Sequence, residues 1–151
     1  MAVATYVRTP IPGLEGARGV LIHSFDDEDG SATPFTRNVR VPDWASEAIF
    51  YLNWTVEGGT TGLVDLAIND VDPVDQETVT ALEGWDGITQ LSAVDLVTIR
   101  IGPGYASTTV DDTGVDYHIG TSLPAILQTV LTLSIADANE TYDLTLSVVF
   151  R

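Results

Sequence analysis

"TYDLTLSVVFR", residues 141–151, alternates polar and apolar side chains from Thr141 to Val148. Five of its apolar residues are spaced two residues apart: Tyr142, Leu144, Leu146, Val148 and Phe150. Such a period of two places them on one face of an extended chain and the polar residues on the other. The stretch therefore predicts a β-strand with one face in a hydrophobic core and one face in water.

The segment just upstream has a similar pattern. In "ILQTVLTLSI", residues 126–135, Leu127, Leu131 and Leu133 share a face with Ile135. The link "ADANE" has the length and the Asp and Asn residues of a hairpin turn. We therefore expect these two strands to pair with each other in antiparallel fashion.

Six further segments complete the strand pattern, and turn-forming residues separate them. They are residues 19–25 "GVLIHSF", 36–41 "TRNVRV", 47–56 "EAIFYLNWTV", 63–70 "LVDLAIND", 78–82 "TVTAL" and 96–101 "LVTIRI". No segment has a convincing amphipathic helical period. The sequence predicts an all-β fold, a single antiparallel β-sandwich or jelly roll of about eight strands.

The first residues do not follow this alternation. Residues 1–18 contain Pro10, Pro12, Gly13 and Gly16, which favour an irregular extended chain. We expect residues 1–18 to be an extended N-terminal arm and residues 19–151 to be the β-sandwich domain.

The composition excludes several kinds of chemistry. The 151 residues include 22 acidic and 6 basic residues, with a formal charge of −16. All six basic residues are Arg, and Cys and Lys are both absent, so the chain has no disulfide, thiol nucleophile or Schiff-base lysine. The scattered arginines argue against nucleic-acid binding, which needs a basic surface. This composition is typical of adaptation to high salt or of a GC-rich genome, and both explanations stay open.

We also find no targeting signal in the sequence. "MAVATYVRTPIPGLEG" lacks the basic and apolar regions of a secretory leader. The longest near-apolar stretch, "SLPAILQTVLTLSIA", is too short and too polar for a membrane span. We expect a chain that is made and kept in the cytoplasm, or assembled into something there, with no membrane partner.

One segment has the oxygen atoms of a cation site. "INDVDPVDQETVTAL", residues 68–82, contains Asn69, Asp70, Asp72 and Asp75. It does not fit a helix–loop–helix calcium loop, because the fifth position counted from Asp70 is a Val. The favoured interpretation is an acidic strand–turn–strand, in which Asp72 caps the backbone that follows; a non-standard cation site is the alternative.

The remaining polar candidates give no catalytic pattern. The acidic run "FDDEDGSATP", residues 25–34, is typical of a solvated surface loop. His23 and His118 are the only histidines, and Asp116 and Ser122 lie too close in sequence to His118 to favour a relay. We expect no catalytic, cofactor-binding or metal-binding residue and no cofactor, so the chain is predicted not to be an enzyme. An acid-pair hydrolase is an alternative, but 22 carboxyl groups form close pairs by chance, so carboxylate pairs carry little signal for it.

The three tryptophans have different predicted roles. Trp54 falls on the inward face of its strand and is predicted to lie in the core. Trp44 and Trp85 lie at turns, where an exposed indole contacts a protein or a carbohydrate, or plugs the end of the sandwich.

The order of several segments resembles a known group of proteins. They are "GGTTGLVDLAINDVDP", "IRIGPGY", "TSLPAILQTVLTLSI" and "YDLTLSVVF". This order is similar to that of small β-sandwich virion proteins from tailed bacteriophages and archaeal tailed viruses. The resemblance covers about residues 45–151 and consists of turn residues and alternation.

The resemblance implies a structural protein of the virion, most plausibly a capsid decoration or cement protein that is active as a homo-oligomer, with a trimer favoured. Its partner is then the major capsid protein or another virion protein. Five residues are candidate partner contacts: Tyr6, Arg8, Arg18, Trp44 and Trp85. A tail, neck or fibre protein and a carbohydrate-binding or adhesion module are the alternatives.

Overall fold

The computed structural model describes residues 3–4, 18–29, 33–58, 63–82, 88–91, 97–105, 116–134 and 140–151. The strands in this part of the chain are β1 (Val3–Ala4), β2 (Arg18–Glu28), β3 (Phe35–Arg40), β4 (Ala48–Glu57), β5 (Leu63–Val71), β6 (Val79–Ala81), β7 (Ile88–Leu91), β8 (Val97–Ile101), β9 (Asp116–Ile119), β10 (Ile126–Ser134) and β11 (Thr141–Phe150). No helix occurs within the described ranges, so the all-β prediction is confirmed.

The strands form two sheets packed face to face. The six-stranded sheet has the order β1-β3-β10-β5-β6, with β7 also paired to β5, and the five-stranded sheet has the order β2-β11-β4-β8-β9. All pairs are antiparallel except β1 with β3 and β8 with β9. The interleaving of β2, β11, β4 and β8 with β3, β10, β5 and β6 is the strand order of a jelly roll.

The predicted pairing of the last two strands is wrong. β10 pairs with β3 and β5, whereas β11 pairs with β2 and β4, so the two strands lie in different sheets. Each strand has one apolar face, and these faces meet across the core. Alternation reveals which side of a strand is buried, but it does not distinguish a hairpin partner from a strand in the opposite sheet.

Apolar residues from eight strands build one core between the sheets: β2, β3, β4, β5, β8, β9, β10 and β11. Trp54 is 1% exposed, which confirms its predicted place in the core. The inward faces predicted for β10 and β11 are confirmed within the described residues, and Ile135 lies outside them. The predicted wet face of β11 is contradicted at Ser147, which is 6% exposed. The largest fully buried side chains are Trp54, Tyr117, Tyr142, Phe50 and Phe150.

The N-terminal residues differ in two places from the expected arm. Val3–Ala4 forms β1, which adds a short parallel strand to the edge of the six-stranded sheet at Asn38 and Val39. β2 already begins at Arg18, whose backbone pairs with Phe150. The strand boundary is therefore one residue earlier than the predicted boundary of the domain.

Some strands extend beyond their predicted bounds or lack a sequence signal. The acidic residues Asp26–Glu28 were expected in a loop but continue β2, and the carboxylates of Asp26 and Asp27 are exposed. The short strands β1, β7 and β9 were not predicted. Each has only two to four residues and so gives a weak period of two, whereas the equally short β6 was predicted from the segment 78–82.

Candidate functional site

The predicted cation segment forms an acidic hairpin, residues 72–81, between β5 and the end of β6. Asp72 Oδ1 accepts a hydrogen bond of 2.7 Å from the Val74 backbone N–H. Asp75 Oδ1 accepts bonds of 2.9 Å from both Glu77 N–H and Thr78 N–H. These carboxylates are used to cap backbone donors, which confirms the predicted strand–turn–strand.

Asp75 has a perturbed acidity that follows from this capping. The Thr78 hydroxyl donates to Asp75 Oδ2 at 2.5 Å, and together with the two backbone N–H groups it lowers the pKa of Asp75. Hydrogen bonds to the ionised form stabilise it. Gln76 completes the turn with a φ of 57°, and its N–H donates to the Asp72 carbonyl at 2.9 Å.

Asn69, the first of the predicted cation ligands, belongs to an amide ladder across the six-stranded sheet. Asn69 Nδ2 donates to Gln128 Oε1 at 3.3 Å, and Gln128 Nε2 donates to Asn38 Oδ1 at 3.2 Å. The three residues are direct partners in the strand register. Gln128 and Asn38 are buried, so the ladder holds β5, β10 and β3 together through polar side chains.

A different group of carboxylates is the closest match to a cation site within the described ranges. Carboxylate oxygens of Asp26, Asp27 and Asp143 lie within 4.8 Å of one another where β2 meets β11. Asp143 Oδ1 also accepts a 3.0 Å bond from the Asp27 backbone N–H. The hydrogen bond with Asp143 and the negative charges of Asp143 and Asp27 raise the pKa of Asp26. This arrangement can share a proton, and clustered oxygen ligands attract hard cations.

Sequence reasoning missed this carboxylate cluster. Asp27 and Asp143 are 116 residues apart, and only the register between β2 and β11 brings them together. A register shift between Tyr142 and Leu144 marks a bulge at this point, where Asp27 has a φ of 56°. No local sequence signal predicts such a long-range meeting.

A shallow groove of about 170 Å³ lies beside the carboxylate cluster. Asn53, Thr55 and Thr145 are exposed, and Asp143 is half-buried. These polar residues alternate along β4 and β11 with the buried Trp54 and Leu144. The full lining is Phe25, Asn53, Trp54, Thr55, Asp143, Leu144 and Thr145. The groove offers hydroxyl, amide and carboxylate groups.

His23 lies in an aromatic cluster between the edges of the two sheets. Its ring stacks on Phe25 at 5.1 Å and meets the edge of Phe35 at 5.9 Å, and the two phenyl rings are 4.6 Å apart. His23 is 6% exposed, and its Nε2 accepts no hydrogen bond from any described residue. Burial, and secondarily the positive charge of Arg37, lower the pKa of His23 to about 4. The imidazole is therefore a neutral packing group at physiological pH.

His118 takes a different position, at the other edge of the five-stranded sheet. Its ring stacks on Tyr105 with centroids 5.3 Å apart. Asp116 and Ser122 are both exposed, and His118 is half-buried. The ring contact with Tyr105 thus makes His118 part of a packed aromatic edge.

Of the five candidate partner contacts, one has a described side chain. Trp44 is 50% exposed and lies in a turn closed by the Ala45 N–H donating to the Pro42 carbonyl at 3.0 Å. The backbone of Arg18 opens β2. Three further candidates lie outside the described residues: Tyr6, Arg8 and Trp85.

The part of the chain that the structure describes contains no helix able to cross a membrane. Comparisons with protein-family models, curated proteins and solved structures found no significant match to this chain.

Proposed function

We propose that this chain is a non-enzymatic structural protein of a virus particle, and specifically a capsid decoration or cement protein. The observation that carries the proposal is the jelly-roll order of the two sheets. Jelly rolls are frequent in viral capsid proteins, and they also occur in lectins and cupins. Because fold alone does not determine function, the proposal also draws on the edges and charge of the molecule.

The N-terminal segment supports an attachment role. β1 shows that residues near the N-terminus can extend a sheet by adding a strand to β3. Strand addition is a common mode of protein–protein recognition, because backbone hydrogen bonds supply the affinity. We propose that the segment before β2 anchors the sandwich to the major capsid protein or another virion protein.

The charge supports a location on the outer surface of the particle. At a formal −16 per chain, a trimer has a formal charge of −48 and must overcome its own repulsion. Salt reduces this repulsion, since the Debye length falls to about 3 Å at 1 M. The proposal therefore combines a homo-oligomer, trimeric by preference, with a salt-rich environment and no nucleic-acid or membrane partner.

Copy number tests the proposal directly. Particles purified from the source culture are analysed by quantitative mass spectrometry against the major shell protein. Hundreds of copies in a simple ratio to the shell protein are expected for a decoration protein. A few to tens of copies place the chain in the neck, tail or fibres, and absence from the particles removes the virion function.

A carbohydrate-binding module is the second candidate, because the structure offers aromatic side chains at its surface. Trp44 is half exposed, and Tyr105 stacks with His118 at an edge of the five-stranded sheet. Exposed aromatic rings are common contacts for sugars. A glycan array tests this candidate: it requires a bound glycan whose binding is lost in Trp44→Ala or Tyr105→Ala and kept in Leu21→Ala.

A further inference from the structure

The acidic hairpin is an ordered but exposed projection of the sandwich. Val71, the residue before the hairpin, is fully buried, and Leu82, the residue after it, is 4% exposed. Both ends of the hairpin are therefore anchored in the core. All nine residues from 73 to 81, between these two buried residues, are exposed. No other exposed run of this length occurs within the described ranges.

Hydrogen bonds within the hairpin, rather than burial, give it a defined shape. Besides the caps by Asp72 and Asp75, the Asp72 N–H donates to the Thr78 carbonyl at 2.9 Å. Register pairs continue to Val71 with Val79 and Asn69 with Ala81. A surface whose conformation is already ordered loses less entropy when it binds.

Val74 lies in the turn of this hairpin and is 91% exposed. The turn does not require a valine there, because Asp72, Pro73 and Asp75 supply the turn chemistry. Val79, on the same hairpin, is 39% exposed. Single exposed apolar residues are ordinary on protein surfaces, but here two of them lie on one hydrogen-bonded hairpin.

The negative charge around Val74 restricts which kind of partner can bind there. Asp72, Asp75 and Glu77 lie within three residues of it, and residues 72–81 contain no basic residue. A second copy of this chain brings a formal −16 of its own, and anionic nucleic acids and membranes are also repelled. A basic protein surface is the complementary partner.

We propose that the acidic hairpin is a docking knob: Val74 inserts into an apolar socket of a different protein, and Lys or Arg residues around that socket pair with the hairpin carboxylates. The inference is independent of the virion function, because the socket can belong to any basic partner.

Site-directed photo-crosslinking tests the knob. The full chain with a benzophenone amino acid at position 74 is irradiated in an extract of the cells that produce the protein, and the crosslinked peptides are sequenced. A second chain carries the same group at position 21, since Leu21 is an exposed apolar residue outside the hairpin, at 49% exposure. Position 74 is expected to crosslink one discrete foreign peptide with Lys or Arg beside apolar residues, and position 21 is not.

Competition with unlabelled purified chains makes the test specific. Wild-type chain and Leu21→Asp are expected to compete for the crosslink equally, whereas Val74→Asp competes at least about tenfold more weakly, as at a binding hot spot. Glu77→Gln, whose side chain takes no part in the turn bonds described above, is expected to compete several-fold more weakly at low salt. The proposal is overturned by no foreign crosslink, by crosslinking to a second copy of this chain, or by full competition from Val74→Asp.

Discussion

At the scale of single residues, His23 is a buried histidine within an aromatic cluster. It is enclosed by Phe25 and Phe35 and lies near the positive charge of Arg37. Its protonated form is therefore unfavourable in the folded chain. The unfolded chain has no such restriction, so acid shifts the equilibrium towards unfolding.

We expect His23 to make stability depend on pH between about 6.5 and about 4. Above this range the imidazole is neutral in both states. As pH falls through the range, the unfolded state takes up the proton first, and up to about 3 kcal/mol of stability is lost by pH 4. Urea unfolding of wild type and His23→Phe along a pH series measures this.

The difference between the two proteins isolates His23 from the carboxyl groups that titrate in the same range. His23→Phe is a matched variant, because it keeps an aromatic ring beside two phenylalanines. Equal pH slopes for the two proteins would contradict the assignment.

Asp75 gives a second prediction at this scale. In Asp75→Ala the backbone N–H groups of Glu77 and Thr78 lose their acceptor, so their amide hydrogens are expected to exchange faster with solvent. Amide exchange followed by NMR measures this effect. Amides in the centre of β11 serve as the internal control and are expected to keep their wild-type rates; unchanged exchange at Glu77 and Thr78 is the contrary result.

The role of a single residue was predictable from the sequence where its contacts are with residues nearby in the chain. The role of Asp72 follows from its own turn, and the burial of Trp54 follows from its place in an alternating strand. The meeting of Asp26, Asp27 and Asp143 was not predictable, because it depends on a register between distant strands. The burial of His23 was not predictable from the sequence either, since its neighbour Phe35 belongs to the other sheet.

At the scale of elements, the amide ladder of Asn38, Gln128 and Asn69 joins three strands. We expect Gln128→Leu to lower the free energy of unfolding by about 2 kcal/mol, because it removes both side-chain bonds at a buried position. Asn69→Ala removes one bond at a half-buried position and is expected to lose about 1 kcal/mol. Urea unfolding measures both, and equal losses contradict a central role for Gln128.

The segment before β2 gives a second prediction at this scale. Deleting residues 1–17 removes only the two-residue strand β1 from the described fold, so the sandwich is expected to remain folded. If the segment is the anchor, attachment to particles is lost. Circular dichroism and co-sedimentation with particles measure the two effects, and undiminished attachment by the folded truncation excludes the anchor.

All eight predicted strand segments correspond to strands, but their partners were less predictable. Alternation identified the buried faces of β10 and β11, because a period of two is visible within one strand. Their placement in separate sheets depends on how the whole chain is wound. The error over a β10–β11 hairpin therefore arises from topology rather than from strand propensity.

At the scale of the whole molecule, the formal charge of −16 is the dominant electrostatic feature. Self-repulsion destabilises a compact state, and salt screens it. We expect the unfolding temperature to rise as potassium chloride increases from about 0.05 M to about 1 M. Scanning calorimetry measures the rise, and a flat or falling profile contradicts it.

Asp26→Asn provides a matched variant for this charge effect. Hydrogen bonding with Asp143 and the charges of Asp143 and Asp27 already disfavour the ionised form of Asp26. Removing this charge is expected to raise the unfolding temperature at low salt and to have less effect at high salt. An equal effect at both salt concentrations points to packing rather than repulsion.

The positions of β10 between β3 and β5, and of β11 between β2 and β4, also have a consequence for synthesis on the ribosome. Strands β2 to β9 leave the exit tunnel before β10 and β11 are available, so β2, β3, β4 and β5 each keep one edge unpaired until then. At about 5–20 residues per second this interval lasts on the order of ten seconds. Completion of both sheets is thus delayed until the last two strands emerge, and unpaired strand edges are exposed during the interval.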